Sequence, residues 1–420
     1  MRTGKAEVIT TAEYVMLCGV FFLMGAETYL VSPLLPTLSA DLGASTPATA
    51  LVVTAFVVAY GVAGPPLGVV ADRAPRWIFI VAGGGLFAAG NVFSALAQSL
   101  PLLVAARALS GLGAAMAAPS CWAYLAERTA PARRGRAISV AVAVYGLGQV
   151  LGVPLGTVCA QFLGWRVAFA GIGAGFAVMV PLLARRLTRT PAVAAPAGLR
   201  ALIRPWRAPR ISLGLTATLL FQAGRLGAYT YVGALLAQRF GFSLAQQGAA
   251  GLLVGVSSML GSLASGPVID RLRSRGRSEI WLSVVSAAVF VLSAPVALTT
   301  GHLALCLGAL FVWCVAGSAF YSTQQAYLAS ADPSQRASVL AWNSSMMNVG
   351  IAAGTSLLGM TAVGSAGFAA TAAGFGLFGG AVALALTRSG RGASATATAE
   401  GLPPAVPRYA RPGARNASGT

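Results

Sequence analysis

Between residues 14 and 387 the chain is a succession of apolar runs, each about 20 residues long and set apart by short polar breaks. A run of that length is what an α-helix needs to cross a bilayer, and repeating it many times leaves no soluble alternative. The runs predict helices over 14–35, 49–70, 77–98, 102–124, 137–160 and 166–184, then 211–236, 245–269, 280–300, 303–328, 338–361 and 366–387. Ten or fourteen would fit the length less well. Composition points the same way. Hydrophobic residues make up 56% of the 420, glycine adds 51 positions, and only 9% are charged, against about 25% in soluble domains. Mean hydropathy is +0.75. A soluble enzyme and a nucleic-acid-binding domain are thereby excluded. The expected fold is an all-α polytopic membrane protein with twelve transmembrane helices.

The net charge of +19 must be read by location. With the N-terminus in the cytoplasm, 25 of the 29 Lys and Arg residues fall on that side, and only Arg166 and Arg239 fall outside. Arg107 and Arg225 lie within spans. This bias predicts a multi-pass protein of the cell membrane with both termini cytoplasmic. No small-residue cleavage site follows the first run, so it is read as a retained span. Lys5, the only lysine, precedes Ala6, so the chain carries no Walker A loop and no ATP motor of that kind. His302 is the only histidine, which leaves no metal cluster to expect. Cys18, Cys121, Cys159, Cys306 and Cys314 lie in apolar runs, form no CxxC, and read as packing residues. No catalytic residue, metal or cofactor is expected.

The chain also repeats itself. Gly68-Val69-Val70-Ala71-Asp72-Arg73 follows span two, and Gly266-Pro267-Val268-Ile269-Asp270-Arg271 follows span eight, both reading G-x-V-x-D-R at an offset of 198. Pro131-x-x-Arg134 precedes span five and Pro333-x-x-Arg336 precedes span eleven, at an offset of 202. Two six-helix halves in parallel orientation follow from this. They are residues 1–184 and 211–387, joined by a basic cytoplasmic linker, 185–210, and followed by a disordered cytoplasmic tail, 388–420.

Three motifs resemble those of the major facilitator superfamily, in its twelve-span drug:proton antiporter branch, which contains chloramphenicol and sugar efflux proteins. The first is the 2–3 loop form G-x-x-x-D-R-x-G-R-R, present as Gly68, Asp72, Arg73 and Arg76, with Pro75 at the second glycine and Trp77 at a basic position. The resemblance implies that this loop, with its repeat at Asp270 and Arg271, latches the cytoplasmic side when the cavity faces outward. A carboxylate docked on a helix N-terminus and on guanidinium groups suits that role. The second is R-x-x-x-G-x-G, present as Arg107, Gly111 and Gly113, and it implies a part for Arg107 in proton transfer. A guanidinium within a span is costly, so Arg107 is expected to face the interior and have a partner, unless, being close to the span start, it snorkels outward. The third is the span-five form G-x-x-x-G-P-x-x-G-G, present as Gly148, Gly152, Pro154 and Gly156, with proline displaced by one position. In the family it accompanies export; its small residues let helices approach closely. The implied function is proton-driven efflux of small drug-like or antibiotic compounds by a monomer that needs only a proton gradient.

Elimination narrows the proton site. Of the ten acids, Glu27 alone lies deep within a span. A carboxyl there can take a proton on one side and release it on the other. The alternative is a fixed ion pair with Arg225 or another buried donor. Aligning Pro33-Leu34-Leu35 with Ala234-Leu235-Leu236 sets Glu27 opposite Ala228, one turn from Arg225. Mid-span Tyr29, Tyr145, Gln149, Gln222, Tyr229, Gln325 and Asn343 are candidate substrate contacts or interhelical hydrogen bonds. Import or facilitation on the same fold, and a receptor or scaffold without transport, remain the competing functions.

Overall fold

The structure is a computed structural model that describes residues 9–31, 34–44, 46–49, 51–189 and 199–399. Residues 1–8, 190–198 of the expected linker and 400–420 of the expected tail lie outside the described residues. Among the described residues the secondary structure is helical throughout. Twelve long helices form the frame: α1 (Thr11–Leu30), α2 (Leu51–Asp72), α3 (Arg76–Leu96), α4 (Leu100–Arg128), α5 (Arg134–Val158), α6 (Trp165–Arg186), α7 (Pro209–Tyr229), α8 (Leu244–Ser274), α9 (Ile280–Thr299), α10 (Leu303–Ala331), α11 (Arg336–Gly359) and α12 (Ala366–Ala399). Nine of the described helices are long and apolar enough to cross a membrane. The other three long ones, α1, α7 and α11, carry the buried polar residues Glu27, Gln222 and Asn343.

Local signals explain several boundaries. Thr10 and Glu13 form a capping box at the start of α1, with Thr10 N donating to Glu13 Oε2 at 2.8 Å and Glu13 N donating to Thr10 Oγ1 at 3.2 Å. Glu13, expected just outside the span, is therefore inside the helix and buried. Ser243 and Gln246 cap α8 in the same way. The expected span 211–236 is interrupted. α7 stops at Tyr229, a turn follows, and a separate helix runs Val232–Phe240. The Tyr231 hydroxyl donates to the Thr355 carbonyl at 2.7 Å and pins that turn to α11. The linker contains a short helix, Leu199–Arg207, and Trp342 Nε1 donates to its Leu202 carbonyl at 3.0 Å. α12 continues to Ala399, past the expected boundary at 387.

The helices pack as two equivalent sets. In the first half α1 lies on α5 and α6, α4 on α2 and α3, and α3 on α6; in the second, α7 lies on α11 and α12, α10 on α8 and α9, and α9 on α12. Small residues bring the pairs together. A Cβ at Gly148 or Gly152 of α5 would overlap the carbonyl oxygens of Phe22 and Ala26 in α1. Gly350 and Gly354 of α11 meet Leu219 and Ala223 of α7 in the same way. Large apolar side chains cover the outside: Val62 is 72% exposed, Phe162 77% and Met360 81%. Such a surface needs lipid rather than water around it.

Candidate functional site

The halves meet along two helix pairs, α2 with α11 and α5 with α8. The repeated aspartates make both junctions. Asp72, the last residue of α2, accepts N–H bonds from Ala337 and Ser338 at 2.8 Å each, at the start of α11. Asp270, near the end of α8, accepts from Gly135 N at 2.9 Å and Arg136 N at 3.0 Å, at the start of α5. Each half thus caps a helix N-terminus of the other, where unsatisfied N–H groups and the helix dipole favour a carboxylate. The receiving turns directly follow Arg134 and Arg336, the ends of the two P-x-x-R repeats. Gly68 makes the α2 junction close, since a Cβ there would stand 2.8 Å from Ser338 Cα.

Charge reinforces the first junction more than the second. Arg76 donates to Asp72 at 2.8 Å and to Glu127 at 3.1 Å, and Arg336 pairs with Glu127 at 3.2 Å. Beside the second junction, Arg273 pairs with Glu279 at 2.6 Å and Arg134 reaches the Ser330 hydroxyl at 3.5 Å. Arg73 and Arg271, both candidates for the latch, are exposed and are not brought into this network. Glu127 and Arg336 were missed as latch residues because their loop positions read as topology charge. The repeated P-x-x-R, with an acid at the end of the preceding span, was the available signal.

A cavity lined by residues of both halves lies between them. Glu27, Arg107 and Arg225 all line it. The partner of Glu27 is Arg107 of α4, which donates to Glu27 Oε1, and both residues are buried. Arg225 is therefore not the partner that the sequence suggested. It contacts Gln222 Oε1 and Ser318 Oγ, each at 3.4 Å, and packs against Gly317 of α10. The register explains the difference. The matched contacts Gly148–Phe22 and Gly350–Leu219 relate α1 to α7 at an offset of 197, which sets Glu27 opposite Gly224 rather than Ala228. The break after Tyr229 spoils the longer alignment. Arg107 does not snorkel; its guanidinium lies 4.7 Å from the Phe56 ring centroid and 5.4 Å from that of Phe169. Glu27 Oε2 is buried with no hydrogen-bond partner among the described residues.

The other candidates divide. Tyr145, Gln149 and Gln222 line the cavity, and the Tyr145 hydroxyl lies 3.3 Å from Thr28 Oγ1. Tyr229 lines a neighbouring cleft in the second half. Gln325 and Asn343 do not reach the cavity. Thr218 donates to Asn343 Oδ1 at 2.8 Å, and Asn343 Nδ2 donates to Gln325 Oε1 at 2.7 Å, a chain that ties α7, α11 and α10. The side chain of Tyr29 lies outside the described residues. Of the helix-packing residues, Gly148 and Gly152 join α5 to α1, Gly156 is buried, and Pro154 is exposed. At the end remote from the latch, Arg166 pairs with Asp41 at 2.7 Å and Trp165 Nε1 donates to Asp41 at 3.0 Å. These hydrogen bonds hold the Asp41 carboxyl below the usual carboxylate range.

Two like helical halves latched at one end around a buried ion pair define a membrane carrier. Residues 17–355 match the Major Facilitator Superfamily. The chain belongs to that family and is a transporter of its fold. It is 25% identical over 346 residues to the uncharacterized MFS-type transporter YceJ of Bacillus subtilis, covering 81% of this chain and 86% of that one. It is also 25% identical over 344 residues to a chloramphenicol resistance protein of Streptomyces lividans, covering 79% and 84%. Among solved structures it resembles the human organic anion transporter MFSD10 (TM-score 0.71, 20% identity, 90% of this chain and 99% of that one). It also resembles the transporter FucP in its outward conformation (TM-score 0.73, 15% identity, 89% and 97%).

Proposed function

We propose that this transporter is a proton-coupled exporter of small drug-like compounds, in which Glu27 carries the proton. One observation supports this reading above the rest. A buried carboxylate faces the central cavity with one oxygen held by Arg107 and the other without a hydrogen-bond partner among the described residues. An isolated buried charge pair needs a reason to persist, since apolar replacements are often as stable. Proton uptake supplies one. A proton on Glu27 removes its charge and frees the Arg107 guanidinium. The freed group moves among the aromatic walls that a bound compound needs, so proton and compound exclude one another. The latch then belongs to the outward-facing state, and both aspartates let go when the cavity turns inward.

In this reading α1, α7 and α11 also cross the bilayer, giving twelve spans. Both termini are cytoplasmic, the cell membrane is the site, and a monomer without cofactor suffices. The sequence similarity to a chloramphenicol resistance protein favours export of antibiotics. The chain performs no chemistry on its cargo. The test is transport in everted vesicles. With an imposed pH gradient and a panel of antibiotics that includes chloramphenicol, at least one compound collapses the gradient with wild type. Glu27→Gln abolishes that collapse. Accumulation of compound by intact cells would favour import or facilitation instead. Silence toward every compound, from folded protein in the vesicles, would refute coupled export.

A further inference from the structure

The linker helix Leu199–Arg207 presents two unlike faces. One seats it on the bundle. Trp342 of α11 donates to the Leu202 carbonyl at 3.0 Å, and the rings of Trp206 and Trp342 meet edge to face with centroids 5.4 Å apart. Pro205 is buried and Leu202 half-buried in that seat. The helix packs on α2 of the first half and on α7 and α11 of the second, so it straddles the junction that Asp72 closes. The other face carries Arg200, Ile203, Arg204 and Arg207, all exposed, at the i, i+3, i+4, i+7 spacing of a single helical stripe. Among the described residues no hydrogen bond or ion pair takes up these three guanidinium groups. Arg204 lies within electrostatic reach of Asp332, but both oxygens of that carboxylate already accept hydrogen bonds, from Ser334 and Gln335.

We propose that the stripe of Arg200, Ile203, Arg204 and Arg207 docks on anionic phospholipid and holds the linker helix at the membrane surface beside the latch. The height of the seat brings the stripe to that layer. Trp342 stands six residues into α11, about 9 Å along its axis from the latch turn, so the linker helix lies beside the bundle rather than beyond its end. Helix ends pass through the lipid headgroups at that level, where tryptophans such as the Trp206–Trp342 pair collect. Arginine presents paired N–H donors to a phosphate, and three of them on one face add their attraction to an anionic surface. Ile203, 43% exposed among them, suits the acyl region just beneath the phosphates.

The test uses the full-length protein without its five native cysteines, with a bimane fluorophore at Ile203→Cys, in phosphatidylcholine nanodiscs. Equal small amounts of phosphatidylglycerol or phosphatidylcholine, each spin-labelled near the glycerol, serve as quenchers. The labelled phosphatidylglycerol quenches about fivefold more strongly than the labelled phosphatidylcholine. Arg200→Gln, Arg204→Gln and Arg207→Gln together bring that ratio to within about twofold of unity. Removing the same charge at the exposed Arg271, Arg275 and Arg277 leaves the preference in place, which separates a local site from the general basic character of this end. Raising salt from about 0.05 to 0.5 M erases the preference with the stripe's arginines intact, so the test does not depend on the variants folding. Thermal unfolding checks each variant that is used. Equal quenching by the two lipids, or quenching by neither, overturns the proposal. So does a preference that survives in the triple glutamine variant or at high salt, or one that is lost equally in the Arg271, Arg275 and Arg277 control. Displacement of the labelled phosphatidylglycerol by millimolar inorganic phosphate would make the stripe a site for a soluble anion and overturn membrane docking. No transported compound and no proton gradient enter this experiment, so its outcome is separate from that of the export assay.

Discussion

Asp72→Asn is the substitution that most directly unlocks the junction between α2 and α11. The carboxylate accepts two backbone N–H bonds at 2.8 Å from the first turn of α11 and a third bond from Arg76. A hydrogen bond to a charged group contributes about 1.5–3 kcal/mol net. Asparagine keeps one acceptor oxygen but turns an amide NH2 toward the second N–H, so one bond is lost outright. The negative charge at the α11 N-terminus goes with it, a further contribution of up to about 2 kcal/mol in partly buried geometry. The two terms overlap. Docking strips more water from a carboxylate than from an amide, which offsets part of both terms, so the net loss to the latched state is about 1–3 kcal/mol. That shifts the latched-to-open ratio by about 5- to 150-fold. Spin labels at Arg73 and Ala331, both exposed, report the opening in a background without the five native cysteines. The expected result is a gain of the long-distance population in Asp72→Asn. An unchanged distance distribution in folded variant protein would refute the latch argument.

Two further outcomes follow. Gly148→Val drives a side chain into the Phe22 carbonyl oxygen, backbone that cannot step aside. It separates α1 from α5 at a cost of about 3 kcal/mol or more, read as a lower unfolding temperature and poor yield of the purified protein. Asp41 has a depressed carboxyl pKa set by Arg166 and Trp165, so its contribution to stability is present above the ordinary carboxylate range and fades as pH falls through its own value. Asp41→Asn therefore leaves the pH profile of transport between pH 5 and 8 unmoved (the range where carriers are assayed, about one unit or more above a normal aspartate). A displaced profile would give Asp41 a part in coupling.

Much of this was written in the sequence, but in uneven form. Run length and glycine content announced membrane helices, and the two G-x-V-x-D-R segments announced two halves. The sequence did not say that each aspartate caps the helix behind the other half's P-x-x-R, because that is a contact across the junction between repeats. Glu27 stood out by elimination, whereas its partner did not. The cost of a guanidinium within a span pointed Arg107 inward, but only the packing of α1 and α4 showed that Glu27 is its partner. The α1–α7 register was misjudged by four residues because the alignment ran across a turn that sequence reads as continuous helix. Gln325 and Asn343 could not be separated from Gln222 by type or depth, since a mid-span amide serves an interhelical bond and a cavity equally well. Only the direction each side chain takes decides between the two.

If Glu27 exchanges its proton against cargo, binding of cargo releases a proton. Purified protein is placed in weakly buffered solution containing a pH indicator, and a transported compound is added to saturation. Wild type releases protons in proportion to compound bound, and Glu27→Gln still binds but releases none. Equal proton release from wild type and Glu27→Gln would place the coupling group elsewhere and refute a proton-carrying role for Glu27.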